Sequence, residues 1–182
     1  QNPSSATDMY NTAVGHDAGY AVTTGIRNTL IGGLAGDVLT DADFNVALGF
    51  GALSSDTLGS KSVAIGSEAL HSQNFTSATD SFNTAVGVNA GYSVSTGIQN
   101  TLIGGLAGDS LTTGYHNVAL GYAALTADTL GRSTVAIGNE ALSTQNFTSA
   151  TDSFNVAVGD QAGKSVTTGT RNTLIGGLAG DA

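Results

Sequence analysis

The chain has no cysteine and no tryptophan, a single proline, five basic residues, and only 10% charged side chains over 182 residues. Without cysteine, neither a disulfide nor a thiolate metal site can staple the fold, so packing and backbone hydrogen bonds must hold it. The basic residues are scattered and the net charge is −9. This argues against nucleic acid as a partner, because neutralising phosphates takes clustered Lys and Arg. No apolar run approaches the roughly 20 residues that cross a bilayer. The opening QNPSSATDMY has neither a basic n-region nor an apolar h-region, and this segment is expected not to insert in a membrane.

What the chain does have is glycine, 26 of them, and repetition. NTLIGGLAGD occurs at Asn28–Asp37, Asn100–Asp109 and Asn172–Asp181, at an even 72-residue step. Aligning on glycine gives ten short units: NTAVG at 11, NTLIG at 28, NVALG at 45, SVAIG at 62, NTAVG at 83, NTLIG at 100, NVALG at 117, TVAIG at 134, NVAVG at 155 and NTLIG at 172. Three 17-residue steps are followed by a 21-residue step, then the same again, then one more 17-residue step. Residues 1–182 therefore read as one continuous repeat domain, with super-repeats over 11–82, 83–154 and, in part, 155–182. Residues 1–10 read as the end of a preceding repeat, since SSATDMYN parallels the TSATDSFN before Asn83, and the natural protein is expected to continue in one or both directions.

Position 5 of every unit is glycine: Gly15, Gly32, Gly49, Gly66, Gly87, Gly104, Gly121, Gly138, Gly159 and Gly176. Position 8 is alanine throughout, from Ala18 to Ala179. A second glycine stands three residues before six of the units (Gly25, Gly59, Gly97, Gly114, Gly131, Gly169), with Asp8, Asp80, Asp152 or Ala42 elsewhere. Glycine and Asp tolerate left-handed backbone, so these positions predict two corners per coil. Between the corners runs TLI, VAI or VAL, β-branched and apolar on both alternating faces, the pattern of a strand covered on both sides in a parallel sheet. A unit this short cannot hold a strand, a crossover helix and a return. It fits one turn of an all-β parallel solenoid of ten coils, in 17- and 21-residue turns.

Position 1 is Asn in eight units (Asn11, Asn28, Asn45, Asn83, Asn100, Asn117, Asn155, Asn172) and Ser62 or Thr134 in the others. Stacked in register, these amides predict a ladder, each donating to the next at the sheet spacing. A plain turn preference of Asn is the competing reading. Val63 and Ile65, or Thr29 and Ile31, are expected to fill a thin interior. Ala13, Leu30, Ala47, Ala64 and their later copies then form a stripe on the opposite face, beyond what a monomer leaves in water. Self-association is the expected cover.

KSVAIGSEAL, STVAIGNEAL and FNVALGFGAL resemble the NSVAIG coils in YadA-type heads of trimeric autotransporter adhesins. FNTAVGVNAGYSVSTGIQNTLIGGLAG is similar to the Asn-Thr-Ala-Val-Gly arrays of phage tail-fibre-like proteins. The resemblance covers nearly the whole chain. It implies a left-handed parallel β-roll in each of three identical chains, with VAIG-type strands lining the trimer interface. The coils depart from the family in length, since YadA-type coils are shorter.

The 21-residue coils carry HSQNFTSATDSF at His71–Phe82 and STQNFTSATDSF at Ser143–Phe154. Extra residues in a solenoid are extruded as loops, where binding commonly resides. Asn74, Phe75, Thr76, Asn146, Phe147 and Thr148 are accordingly the candidate binding residues for a glycan or protein receptor, against the alternative that each Phe tucks under its own loop. NFT also spells a glycosylation sequon. GGLAGD resembles a calcium-binding nonapeptide, but its Asp (Asp37, Asp109, Asp181) recurs only once per super-repeat, so an exposed turn Asp is expected and no metal. His16, His71 and His116 do not recur from cycle to cycle, and no metal or other cofactor is expected at them. No nucleophile–base–acid constellation stands out from the repeat, so no enzyme activity is expected. The Thr rows (Thr12, Thr29, Thr84, Thr101, Thr173) suggest an ice-binding array, but they alternate with Val46, Val63, Val118 and Val135, which points to interior filling.

These readings converge on a structural and adhesive segment of a homotrimeric extracellular fibre on a virion or cell surface, attaching to a host or cell surface. The alternatives are a monomeric β-helical module for glycan or ice, and a glycan-cleaving fibre. Ten coils at ~4.8 Å predict a rod of about 48 Å and a super-repeat rise near 19 Å.

Overall fold

The computed structural model describes residues 8–181, so most of the expected preceding repeat, residues 1–7, lies outside the described residues. All regular structure in the described residues is β-strand. Fourteen short strands follow one another: β1 (Thr12–Val14), β2 (Thr29–Ile31), β3 (Val46–Leu48), β4 (Gly59–Ser60), β5 (Val63–Ile65), β6 (Thr79–Asp80), β7 (Thr84–Val86), β8 (Thr101–Ile103), β9 (Val118–Leu120), β10 (Gly131–Arg132), β11 (Val135–Ile137), β12 (Thr151–Asp152), β13 (Val156–Val158) and β14 (Thr173–Ile175). Ten of them form one parallel sheet in the order β1-β2-β3-β5-β7-β8-β9-β11-β13-β14. Each unit contributes one strand, and Thr12, Thr29, Val46, Val63 and Thr84 stand opposite one another in unbroken register. The chain is a parallel β-solenoid of about ten coils. The 21-residue coils add the pairs β4·β6 and β10·β12.

Hydrogen bonds between coils run through the turns as well as the strands. Gly19, Ala21 and Thr23 donate their N–H groups to the carbonyls of Ala35, Asp37 and Thr40 one coil on. A thin coil cannot satisfy its backbone internally, and stacking leaves few orphaned donors.

The position-5 glycines take φ between +123° and +141°, a region essentially closed to L side chains. A Cβ on Gly32 would lie 2.5 Å from the carbonyl oxygen of Gly49 in the next coil. The second glycine of the coil has a different reason. Gly25, Gly97 and Gly114 do not have positive φ, and they are glycine because a Cβ would collide with the neighbouring coil's carbonyl. The left-handed residues lie elsewhere, in three columns of mostly non-glycine residues. These are the residue before each unit (Tyr10, Arg27, Phe44, Lys61 and their copies), position 7 (Asp17, Leu34, Glu68, Asn89) and position 9 (Leu53, Leu70, Leu125, Leu142). A left-handed residue costs roughly 1–2 kcal/mol. Most of these turn their N–H along the rod axis into an inter-coil bond, as from Leu34 to His16 O (2.9 Å) and from Phe44 to Ile26 O (3.0 Å).

The interior is the reverse of the expected one. Leu30, Ala47, Ala64, Ala85, Leu102, Ala119, Ala136 and Ala157 at position 3 are buried, while Thr29, Ile31, Val63 and Ile65 face outward and are partly exposed. Ala13 is exposed in the first described coil. The reason is parity. The Asn side chains at position 1 point inward, and in an extended strand position 3 must share their face. Buried Ala at position 8 and Leu, Val, Asp or Gln at position 12 complete the core.

Candidate interaction surface

The Asn side chains do form a ladder, with different partners from those expected. Asn28 donates its backbone N–H to Asn11 Oδ1 (2.7 Å), Asn45 to Asn28 Oδ1 (2.9 Å), and Asn100 to Asn83 Oδ1 (2.9 Å). From Asn11 to Asn155 each Nδ2 donates to a carbonyl 14 residues on, as from Asn45 to Gly59 O (2.8 Å) and from Asn117 to Gly131 O (2.9 Å). Side-chain contacts from one ladder Asn to another occur only from Asn100 to Asn83 (3.3 Å) and from Asn172 to Asn155 (3.1 Å) among the described residues. One amide thus bridges two coils and pins the far turn.

At the 21-residue coils the ladder continues by other means. Asp56, Gln73, Ser62, Ser81 and Asn83 are all buried. Gln73 Nε2 donates to Asp56 Oδ2 (2.6 Å) and Ser62 Oγ (2.8 Å), and Gln73 Oε1 accepts from Asn83 Nδ2 (2.8 Å). Asp56 Oδ1 also accepts the N–H groups of Gly59 (3.0 Å) and Phe75 (3.2 Å). Asp128, Gln145, Thr134, Ser153 and Asn155 repeat this arrangement one super-repeat on. The carboxylate fixes the direction of the whole relay. It can only accept, so Gln73 turns its NH₂ toward Asp56 and its oxygen toward Asn83.

The extra loop residues divide. Phe75 and Phe147 are each only 5% exposed, tucked under their own loops with no ring face free for stacking on a ligand. Asn74, Thr76, Asn146 and Thr148 are exposed. Asn74 Oδ1 accepts from Thr57 Oγ1 (3.2 Å) and Asn146 Oδ1 from Thr129 Oγ1 (3.1 Å). They cap a hydroxyl ladder in which Thr40 donates to Thr57 O (3.0 Å) and Thr112 to Thr129 O (2.9 Å).

The three histidines stay apart. His16 Nδ1 lies 3.2 Å from Asp17 Oδ2, His71 stacks on Tyr92 with ring centroids 4.9 Å apart, and His116 Nε2 meets Gln99 Oε1 at 2.6 Å. No group of three metal-ligating side chains occurs among the described residues. Of the three turn aspartates, Asp109 accepts from the Thr126 hydroxyl and Asp181 from Ser165 Oγ (3.3 Å). Asp37 Oδ1 is buried without a partner, and burial pushes its carboxyl above the ordinary value. On the surface, Lys164 donates to Glu140 (2.6 Å), and that bond holds the Glu140 carboxyl below its usual range and Lys164 above its own.

The largest feature is the outward face of the ten-stranded sheet. Two columns, positions 2 and 4, run its length, flanked at the strand ends by the residue before each unit and by position 6. Position 4 carries Val14, Ile31, Leu48, Ile65, Val86, Ile103, Leu120, Ile137, Val158 and Ile175, and position 2 carries only Thr and Val. Leu48 and Leu120 are 41% and 40% exposed even within the stack. The flanks add Tyr10, Phe44, Phe82 and Phe154 on one side and Phe50, Val88 and Tyr122 on the other, and of the exposed large hydrophobics only Tyr20 and Leu178 lie elsewhere. Arg27 and Lys61 lie 5.2 Å over the rings of Phe44 and Phe82. The Thr rows belong to this presented face and not to the interior.

Sequence reasoning identified an apolar stripe and put it on the wrong side of the strand. The signal that would have corrected it is the shared parity of Asn and Ala. No family model matches the chain, and neither a curated protein nor a solved structure does.

Proposed function

We propose that this chain is a segment of a homotrimeric surface fibre, three identical left-handed β-rolls that bury their outward sheet faces around a shared axis. The observation that carries this reading is the size and chemistry of that face. Across ten rungs, about 43 Å at the spacing of a parallel sheet, it gathers eleven of the thirteen exposed large hydrophobics among the described residues. The largest apolar patch on an ordinary monomer is about 300–600 Å², whereas a stable interface takes about 800 Å² from each partner. Its Val, Ile, Leu and Phe side chains have the composition of an interface core.

In this reading the rod works mechanically. Inter-coil bonds all round each turn make it stiff, and the faces left outside the trimer carry the 21-residue loops and the acidic surface. The fibre stands outside a cell or virion and attaches to a host-surface glycan or protein receptor. Light scattering tests the assembly: a particle with three times the mass of the 18.0 kDa chain supports it. A particle of single-chain mass overturns it in favour of a monomeric module, for which the outward Thr12, Thr29, Thr84 and Thr101 would present hydroxyls to ice or glycan.

A further inference from the structure

The two flanking columns of the apolar face vary together, coil by coil. Unit 2 of each super-repeat has a long polar side chain before the unit and glycine at position 6: Arg27 with Gly33, Gln99 with Gly105, Arg171 with Gly177. Unit 3 has rings at both places, Phe44 with Phe50 and His116 with Tyr122. Unit 4 is polar at both, Lys61 with Ser67 and Ser133 with Asn139. Unit 1 pairs Tyr10 with His16 and Phe82 with Val88, while Phe154 with Asp160 departs from the pattern. Where Phe44 becomes the more polar His116, Phe50 becomes the more polar Tyr122.

Copying of the four-coil set repeats each column's order but does not make the two columns agree within a coil. The strand between them is three residues long, and the left-handed residue before the unit and the position-5 glycine bend the backbone at its two ends, so the two positions stand on opposite flanks of the strand. Their close neighbours lie along the rod, not across it: Phe44 packs under Arg27, and Phe50 lies over Gly33, whose Cβ position is 3.4 Å from its ring. Residues that match without touching are explained if they touch in a neighbouring copy. Resting on the trimer reading, we propose that the residue before each unit meets position 6 of the same coil in the adjacent chain, so that the three chains assemble without stagger.

Symmetry leads to the same arrangement. Three chains around a closed axis have identical interfaces only if none is shifted along the rod. The flank of one chain then faces the opposite flank of the next at equal height. Layers with a ring at units 1 and 3, apolar on both sides except at His16, His116 and Asp160, thereby alternate with layers where Arg27, Gln99, Arg171, Lys61 or Ser133 crosses glycine or a small polar residue. A shift by one coil would set Phe44 against Ser67 or Gly33, and Phe82 against Gly105 or Ser67. Rings would then lie beside polar or empty positions, and the apolar layers would be lost.

The test is a double-substitution cycle on the full chain. Phe44→Lys and Phe50→Asp introduce residue types that the same columns already hold at Lys61 and Asp160, so each coil keeps its fold. Each single change is expected to weaken trimer association about tenfold or more. The double variant should recover about tenfold through a new charge pair, the coupling seen for close interfacial charges. Pairing Phe44→Lys with Ser67→Asp or Gly33→Asp, one coil up or down, should recover nothing. A wild-type trimer that couples at position 67 or 33, or at none of the three, overturns the register and leaves the fibre reading standing. A monomeric wild type overturns both.

Discussion

Replacing Gly87 by alanine tests whether the coils stack as closely as the backbone shows. Gly87 sits at φ +141°, and an added Cβ would lie 2.5 Å from Gly104 O and 2.6 Å from its carbonyl carbon. Real Cβ atoms essentially never come within 3.0 Å of such an atom, so the rung must open. The bonds across the same rung, from Gly104 N–H to Val86 O (2.8 Å) and from Leu106 N–H to Val88 O (3.0 Å), would stretch with it. Backbone strain in this region costs about 1–3 kcal/mol, and weakening two inter-coil bonds adds about 1 kcal/mol each. The total is about 3–5 kcal/mol.

Gly176 is the control, because it has a similar φ of +123° and nothing within 4 Å of its Cβ position. Gly176→Ala carries the strain alone, about 1–3 kcal/mol. Urea unfolding followed by circular dichroism should place Gly87→Ala well below Gly176→Ala in midpoint. Amide exchange should localise the loss to the coils on either side of Gly87, since solenoid coils contact only their neighbours. Equal effects of the two substitutions would refute the close-stacking account.

Other consequences follow from the buried polar groups. Asn100→Ala removes the donor to Gly114 O (2.9 Å) and the acceptor for Asn117 N–H (3.1 Å), leaving two buried backbone groups unpaired. It should cost about 2–4 kcal/mol by denaturant unfolding. Asp56→Asn sets an NH₂ group against Gln73 Nε2 and should cost about 2–3 kcal/mol. Combining it with Gln73→Glu places an acceptor between the new amide and the Asn83 donor, and should recover most of that loss. At Asp37 burial raises the folded-state value above the ordinary 3.8, so the folded chain holds that proton more tightly than the unfolded one. The resulting stability is full below pH 3.8 and is lost as pH rises through the raised value. Asp37→Asn should therefore raise the unfolding midpoint at about pH 7 and leave it unchanged at about pH 3. Asp109→Asn, where the carboxylate already has the Thr126 hydroxyl, should give no such gain.

Much of the fold was legible because a solenoid repeats its constraints. The ten glycines at position 5 marked a backbone that no other residue adopts, and their 17- and 21-residue steps gave the strand register directly. The non-glycine left-handed columns were not legible. Arg27, Phe44 and Lys61 share no turn-forming side chain, and what holds them left-handed is an inter-coil hydrogen bond. The sidedness of the strand was hidden for a related reason. Ala and Val are both apolar, so hydrophobicity alone does not say which faces inward, whereas the inward Asn on the same parity as Ala does. Phe75 read as an exposed aromatic on an extruded loop. Its burial depends on Gly59, where a Cβ would lie 2.7 Å from the Phe75 ring, and on the Asp56 carboxylate that draws in its N–H.

The 72-residue period, four coils rather than one, follows from how the interior is filled. Position 9 runs Gly19, Gly36, Leu53, Leu70 and then repeats, while position 12 runs Val22, Leu39, Asp56, Gln73. Where position 9 is glycine, a large neighbour takes its space: a Cβ on Gly36 would lie 2.7 Å from Leu39 Cδ1 and 2.9 Å from Leu30 Cδ2. Where position 9 is leucine, position 3 shrinks to Ala47 or Ala64, and position 12 becomes a polar residue tied into the Asp56 relay. The compensation also crosses coils, since Gly19 makes room for Leu30 above it (2.8 Å) and Gly91 for Leu70 below it (3.0 Å). A coil's interior is therefore shaped to its two neighbours, at a packing density that leaves no space for a methyl group. Coils cut to fit their neighbours cannot be permuted singly, so the smallest piece that can be copied without a misfit is the whole set of four. The outer flanks, whose side chains are matched coil by coil, carry the same period on the surface that the core imposes within.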